Sequence, residues 1–257
     1  MSLVTFTTDF GPNSIYTATS RAGLLGKESV AGVIDLSHTI EPNNIAEAAY
    51  LVHTVYPDYP DDTIHIIAVD QRHRTRNPEL VIRKIKQQYF ISYNTGLLSM
   101  IDEEPNATYW IAGTYDGRHF TSIYKVLNQI ALQIARNDFS GFELVKADKV
   151  MQKSTLRPAM NDEEIAGNVM YFDERGFAYT NIHQSDFERF APDGRAVIRL
   201  TRFETLEAVL PHLSGTSPGS AGAFFNDRGY LCIGIYHDDT RSLLGFKRGH
   251  VILIEHS

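Results

Sequence analysis

The chain has 257 residues, 43% of them hydrophobic and 21% charged, which suits a globular protein with one large domain or two modest ones. A net charge of −7 argues against nucleic acid as the main partner, because phosphate binding needs a basic face. A single cysteine, Cys232, excludes an intramolecular disulfide framework, and no apolar run approaches the length of a membrane span. The first residues lack the basic and apolar segments of a signal peptide, so a cytoplasmic location and no membrane partner are expected.

Three apolar runs in the first part of the chain each end in an aspartate: Leu3 to Asp9, Ala31 to Asp35 and Ile64 to Asp70. Their shortness and β-branched content suit buried parallel strands. Ligands of open α/β sheets bind beyond the carboxyl ends of such strands, so the acids mark a candidate binding edge. Between the runs, a helix is expected from Tyr16 to Leu25 and another from Ile45 to Val55. The second has Asn43 or Asn44 as N-cap and Glu47 placed as in a capping box. Strands are expected at Glu79–Arg83 and Gln88–Ser92, then an amphipathic helix over Ser122–Arg136. The polar stretch after it reads as a connector, followed by short strands near 168–172, 178–182, 196–201, 223–225, 230–235 and 251–255. The expected fold is therefore an N-terminal α/β domain with a mainly parallel sheet (1–138), a connector (139–163) and a small C-terminal β-barrel (164–257).

The residues alone leave several roles open. Asp9, beside Gly11, could accept from two adjacent ribose hydroxyls or could form an Asx-turn or helix cap. Asp35 reads as a capping acid. Asp70 precedes the cationic loop Gln71 to Arg76, which suits an ionised base or water-orienting group, but equally a solvated basic turn. A phosphate site there lacks the glycines that cradle phosphate. His119 is a lone histidine just before the Ser122 helix. The ten histidines form no metal-ligand spacing, so no zinc site is expected. The glycine-rich segment Ser214 to Gly222 matches no nucleotide-binding pattern and reads as a mobile loop.

Taken in order, these segments resemble the S-adenosylmethionine hydroxide adenosyltransferases, relatives of the fluorinating and chlorinating adenosyl halogenases. The resemblance rests on Thr7-Thr-Asp-Phe-Gly11 with Tyr16, and most specifically on Val33-Ile-Asp-Leu-Ser-His-Thr-Ile-Glu-Pro42 with Ile45-Ala-Glu-Ala-Ala49. Thr63 to Asp70, Gly96-Leu-Leu98 and His119 with Ser122-Ile-Tyr124 add to it in the first half. Asp173 with Thr180-Asn-Ile182, Asn226 to Leu231 and Leu243 to Gly249 add to it in the second. It implies hydrolysis of S-adenosylmethionine to adenosine and methionine without a further cofactor. It also implies a homotrimer with active sites between one subunit's first domain and its neighbour's second. The implied catalytic trio is Asp70, Arg76 and His119. Implied substrate-binding positions are Asp9 (ribose), Ser14, Tyr16, Asn43, Asn94, Asp173, Tyr179, Asp227 and Arg228. The chain departs from the family's D-P-G-V-G loop at Asp70-Gln-Arg-His-Arg74, has Ser14 in place of an acid and Asn94-Thr95 in place of D-N, and has Arg175-Gly-Phe177 in place of F-G-N. The departure after Asp70 keeps a second expectation alive, a binding protein without turnover. A halide-using transferase ranks below both.

Overall fold

The first apolar run becomes the interior of a parallel sheet. All residues of β1 (Ser2–Thr8) except Leu3 are buried, because a strand flanks it on each side and helices cover its faces. The computed structural model describes residues 1–69, 78–102, 104, 106–114, 122–154 and 156–257. The chain divides into two units, Met1–Thr155 and Leu156–Ser257, each with its own core.

In the first unit β1 pairs in parallel with β2 (Val30–Ser37) and β3 (Ile64–Ala68), and β3 pairs in parallel with β5 (Gln88–Tyr93). The antiparallel strands β4 (Glu79–Ile85), β6 (Thr108–Thr114) and β7 (Glu143–Lys146) complete a sheet of order β2-β1-β3-β5-β4-β6-β7. Helix α1 (Ile15–Leu24) packs on α4 (Ser122–Ala135), which lies against β3 and β5. Helix α2 (Ile45–Val55) packs on α3 (Leu97–Ile101) and β1. Strand alternation sends Val4, Phe6, Ile64 and Ile66 against Ile123, Tyr124, Leu127 and Ile130 of α4.

The residues of opposite parity make a polar seam on the other face. The Thr5 hydroxyl lies 2.8 Å from His65 Nδ1, and His65 Nε2 lies 2.7 Å from Gln88 Oε1. Gln88 Nε2 donates to the carbonyls of Tyr56 and Tyr59, so Oε1 faces the ring and the proton sits on His65 Nε2. Burial lowers the His65 pKa to about 4. The unfolded chain, with an ordinary histidine, binds the proton first as pH falls. Stability conferred by neutral His65 is therefore full above about pH 6.5 and is lost toward pH 4, by about 3 kcal/mol in all. Urea midpoints of the wild type and His65→Gln should converge over this window. Parallel curves would refute the assignment.

Two caps set the helices beside the sheet's carboxyl edge. Ser14 accepts from Tyr16 N to start α1, and Asn44 Oδ1 accepts from Glu47 N to start α2. The expected capping box is only half formed. Glu47 reaches back to the N–H of Glu41, because Asn44 N already donates to the Glu41 carbonyl. Asn44→Ala should cost about 1 kcal/mol in thermal unfolding, with no loss if solvent replaces the cap.

Two expectations need correction. Asp35 neither ends its strand nor caps a helix. β2 continues to Ser37 as an edge strand, with Phe6 opposite Asp35 and Thr7 opposite Ser37. Part of the 139–163 stretch is also built into the first unit. Glu143–Lys146 is the edge strand β7, short and mostly exposed, so it carries no apolar run to announce it.

The second unit is a curled sheet. It runs β12 (Thr205–Leu206), β11 (Val197–Arg199), β16 (Val251–Glu255), β9 (Glu164–Phe172), β10 (Ala178–His183), β15 (Tyr230–Ile235), β14 (Ala221–Phe225) and β13 (Val209–Leu210). The two-residue β8 (Ala159–Met160) pairs with β9. β9 turns the corner: its first half pairs with β16 and its second half with β10. Gly167 sits at that bend with Ile182 and Asn181 so close that no Cβ would fit. β12 approaches β14, so the sheet nearly closes into a barrel around Ile165, Val169, Ile182, Leu231, Ile233 and Ile254. The short helices α5 (Gln184–Phe190) and α6 (Thr240–Leu243) cover it.

Candidate functional site

Strand order reverses at β1. The chain leaves β1 through α1 toward β2 on one side, and β3 lies on the other side. A ligand crevice in such a sheet lies beyond the carboxyl ends of β1 and β3. Asp9 follows β1 at this place, half-buried, and its Oδ2 accepts the N–H of Asn43 at 2.9 Å. Asn43 holds a left-handed backbone, φ 66°, which turns that N–H toward the acid. Gly11, φ 87°, gives its N–H to the His38 carbonyl at 2.8 Å. The loop after β1 and the loop after β2 are thus stitched together around Asp9.

Aromatic rings line the next step. Tyr16 stacks on Tyr124, 7° from parallel with centroids 5.2 Å apart, and Phe10 meets Tyr124 edge-on at 5.2 Å. Behind Asp9, the Thr8 hydroxyl lies 2.9 Å from His38 Nδ1. His38 Nε2 stands 3.1 Å from Asp35 Oδ1, out of line with the ring N–H, so that contact is electrostatic. Arg21 of α1 donates to Asp35 Oδ2 at 2.6 Å. Ser14 is the α1 cap, with its hydroxyl turned to Tyr16 N.

At the end of β5, Asn94 donates to Glu79 at 2.6 Å and accepts from Met151 N at 2.7 Å. Ser99 and Lys153 exchange hydrogen bonds nearby, the hydroxyl to the carbonyl and the N–H to the hydroxyl. Together these pin the segment 151–153 over the β5–α3 turn. Asp70, Arg76 and His119 lie outside the described residues. β3 ends at Ala68, followed by the fully buried Val69.

In the second unit, Asp173 closes the β9–β10 turn. Its Oδ1 accepts from the N–H groups of Arg175 and Phe177, and its Oδ2 accepts from Arg175 Nε and the Tyr179 hydroxyl. Burial, then the Asp173 charge, pushes the Tyr179 pKa up to about 12, so the phenol stays a donor. Burial likewise pushes the Cys232 thiol up, which leaves it an unreactive apolar residue. Asp227 and Arg228 are exposed on the β14–β15 turn, where Asn226 Oδ1 accepts from the N–H groups of Arg228 and Tyr230. Among the described residues no group of three His, Cys, Asp or Glu side chains could hold a metal ion.

Sequence reading left Thr8, Arg21 and Glu79 without a role and treated His38 only as part of a motif. The spacing of His38, three residues after Asp35 and just past a strand, is the one signal that could have drawn attention to it.

The model of the SAM hydroxide adenosyltransferase N-terminal domain matches residues 4–138, and that of the C-terminal domain matches residues 167–253. An (R)-S-adenosyl-L-methionine hydrolase of Methanocaldococcus jannaschii is 25% identical over 199 residues, covering 72% of this chain and 69% of that protein. An uncharacterized conserved protein from Thermotoga maritima superposes with a TM-score of 0.80 at 22% identity, over 98% of this chain and 100% of its own. A conserved hypothetical protein from Thermus thermophilus superposes with a TM-score of 0.76 at 20% identity, over the whole of both chains. These two likenesses concern the fold. With both domain models matched in order, the chain belongs to the SAM hydroxide adenosyltransferase family.

Proposed function

We propose that the protein hydrolyses S-adenosylmethionine to adenosine and L-methionine. The observation that carries this reading is the family match on both halves of the chain, joined to a relative named as a hydrolase of that substrate. The placement of Asp9 at the sheet's switch point supports it, because a carboxylate there, with its Oδ2 accepting the Asn43 N–H, stands where ribose hydroxyls are received in such sheets.

In the proposed reaction a water oxygen bonds to C5′ while the C5′–S bond breaks. The bonding pair goes to sulfur, so the sulfonium leaves as the neutral thioether of methionine and needs no acid. The attacking water gives up its proton. The demand falls on aligning a weak nucleophile behind C5′ at about 3–3.5 Å. Asp70 or His119 orients the water and takes the proton, and Arg76 stabilises developing hydroxide. Asp9, Ser14, Tyr16, Asn43 and Asn94 belong to the substrate side of the first unit, and Asp173, Tyr179, Asp227 and Arg228 to that of the second. The proposal includes a homotrimer and a cytoplasmic location. Light scattering should give three times the 28.9 kDa chain mass.

The cations after Asp70 favour one second reading, a protein that binds adenosine or S-adenosylmethionine without turnover. Incubation with S-adenosylmethionine, with and without chloride, followed by chromatography separates the two. Adenosine and methionine in equal amounts support hydrolysis. Tight binding with no product after long incubation supports the second reading, and a chlorinated nucleoside would overturn both.

A further inference from the structure

We infer that His38 is the positioning residue for the Asp9 carboxylate, an inference that rests on the adenosine-binding reading above. One residue grips the β1–α1 turn on both flanks of Asp9. The ring of His38 holds Thr8, one residue before the acid, at 2.9 Å, and its carbonyl holds the N–H of Gly11, two residues after it, at 2.8 Å. Both Thr8 and His38 are buried, so water does not compete for these contacts.

The direction of the chain follows from its far end. Asp35 is an acceptor, and its charge beside Nε2 keeps the ring proton there. With the proton on Nε2, Nδ1 is the acceptor for the Thr8 hydroxyl 2.9 Å away. The Thr8 oxygen in turn accepts the N–H of Phe10 at 3.4 Å. Arg21 anchors Asp35 from α1, the helix into which the turn leads. The circuit therefore closes: β1, His38, Asp35, Arg21 and α1 enclose the loop that carries Asp9. Asn43 N donates to the acid itself. His38 thus acts through Thr8 and Gly11 without touching substrate.

Two substitutions divide the ring into its halves. His38→Asn puts an amide oxygen where Nδ1 stands and keeps the Thr8 contact. His38→Gln places its amide near Nε2, keeps Asp35 and leaves the Thr8 hydroxyl without its acceptor. The expected result is that His38→Gln weakens adenosine binding by about tenfold in calorimetric titration, with His38→Asn within about twofold of wild type. In turnover, His38→Gln should raise KM for S-adenosylmethionine by the same factor with kcat nearly kept, the mark of lost uniform binding. Amide exchange at Phe10 and Gly11 should quicken in His38→Gln and not in His38→Asn.

Equal loss in both variants would mean that His38 matters only as packing, and unchanged exchange and binding in His38→Gln would also overturn the inference. If wild-type protein neither binds adenosine nor forms product, the functional reading fails. The exchange measurement still decides whether His38 holds the turn.

Discussion

Asp70→Ala should lower the rate of adenosine release from S-adenosylmethionine by about 10²–10⁴-fold, the usual contribution of a positioned base or water-orienting group. Affinity for adenosine should stay within about threefold of wild type, because the proposed task of Asp70 concerns the attacking water, whereas the ribose is assigned to Asp9. The pairing of the two results matters. A fall in kcat with binding intact marks a group that acts in the transition state, whereas a matched fall in both would mark a binding acid. Rapid-quench chromatography against calorimetric titration reads both quantities. A variant that retains more than a third of wild-type turnover would remove Asp70 from the mechanism.

Arg83→Ala should lower the stability of the first unit by about 3–5 kcal/mol. The side chain is 1% exposed in β4, where a guanidinium has no water to solvate it. It donates to the carbonyls of Leu98 and Asp102 at 2.9 and 2.8 Å, meets the Asp102 carboxylate at 3.3 Å and lies 5.5 Å from the Tyr109 ring centre. Helix α3 has five residues, too few to hold itself, and its last carbonyls have no partner along the helix. Arg83 supplies that missing cap from the sheet and sets a positive charge at the helix's negative end. Truncation strands the two carbonyls and the carboxylate together. Circular dichroism should show the melting midpoint falling by about 10 °C. Arg83→Lys should recover only part of it, because one ammonium can replace Nη1 at the two carbonyls but has no second nitrogen to meet the Asp102 carboxylate as Nη2 does. A drop below 1 °C for Arg83→Ala would refute the account.

How much of this was written in the sequence depends on distance along the chain. Helix α2, β15 and β16 fall where the apolar pattern placed them, since each is specified by a contiguous run and, for α2, by a local cap. The candidate edge was legible for the same reason: the β1 run stops beside Asp9 and Gly11. Asp35 misled because an apolar run ended there while backbone pairing did not. Hydrogen bonding to β1 carries the strand on through a polar edge. Arg83 gave no sign of burial, as a charge at the end of an expected strand reads as solvated. Its partners lie 15 and 19 residues away. The amide of Asn94 is engaged by Glu79 and by Met151, the latter 57 residues on, which no local pattern encodes. Strand β6 and the helix α5 also escaped the sequence reading.

The late arrival of β7 has a consequence for synthesis. Residues 143–146 close the sheet against β6, and Met151 and Lys153 bind Asn94 and Ser99 at the β5–α3 turn. A nascent chain that has emerged only to residue 138, where the N-terminal family match stops, still presents Thr108–Ile111 as an open strand. Such an edge is a template for pairing with other chains. The first unit therefore completes itself only after the ribosome has released some fifteen further residues, and a fragment cut at the family boundary should self-associate where one carried through residue 154 does not.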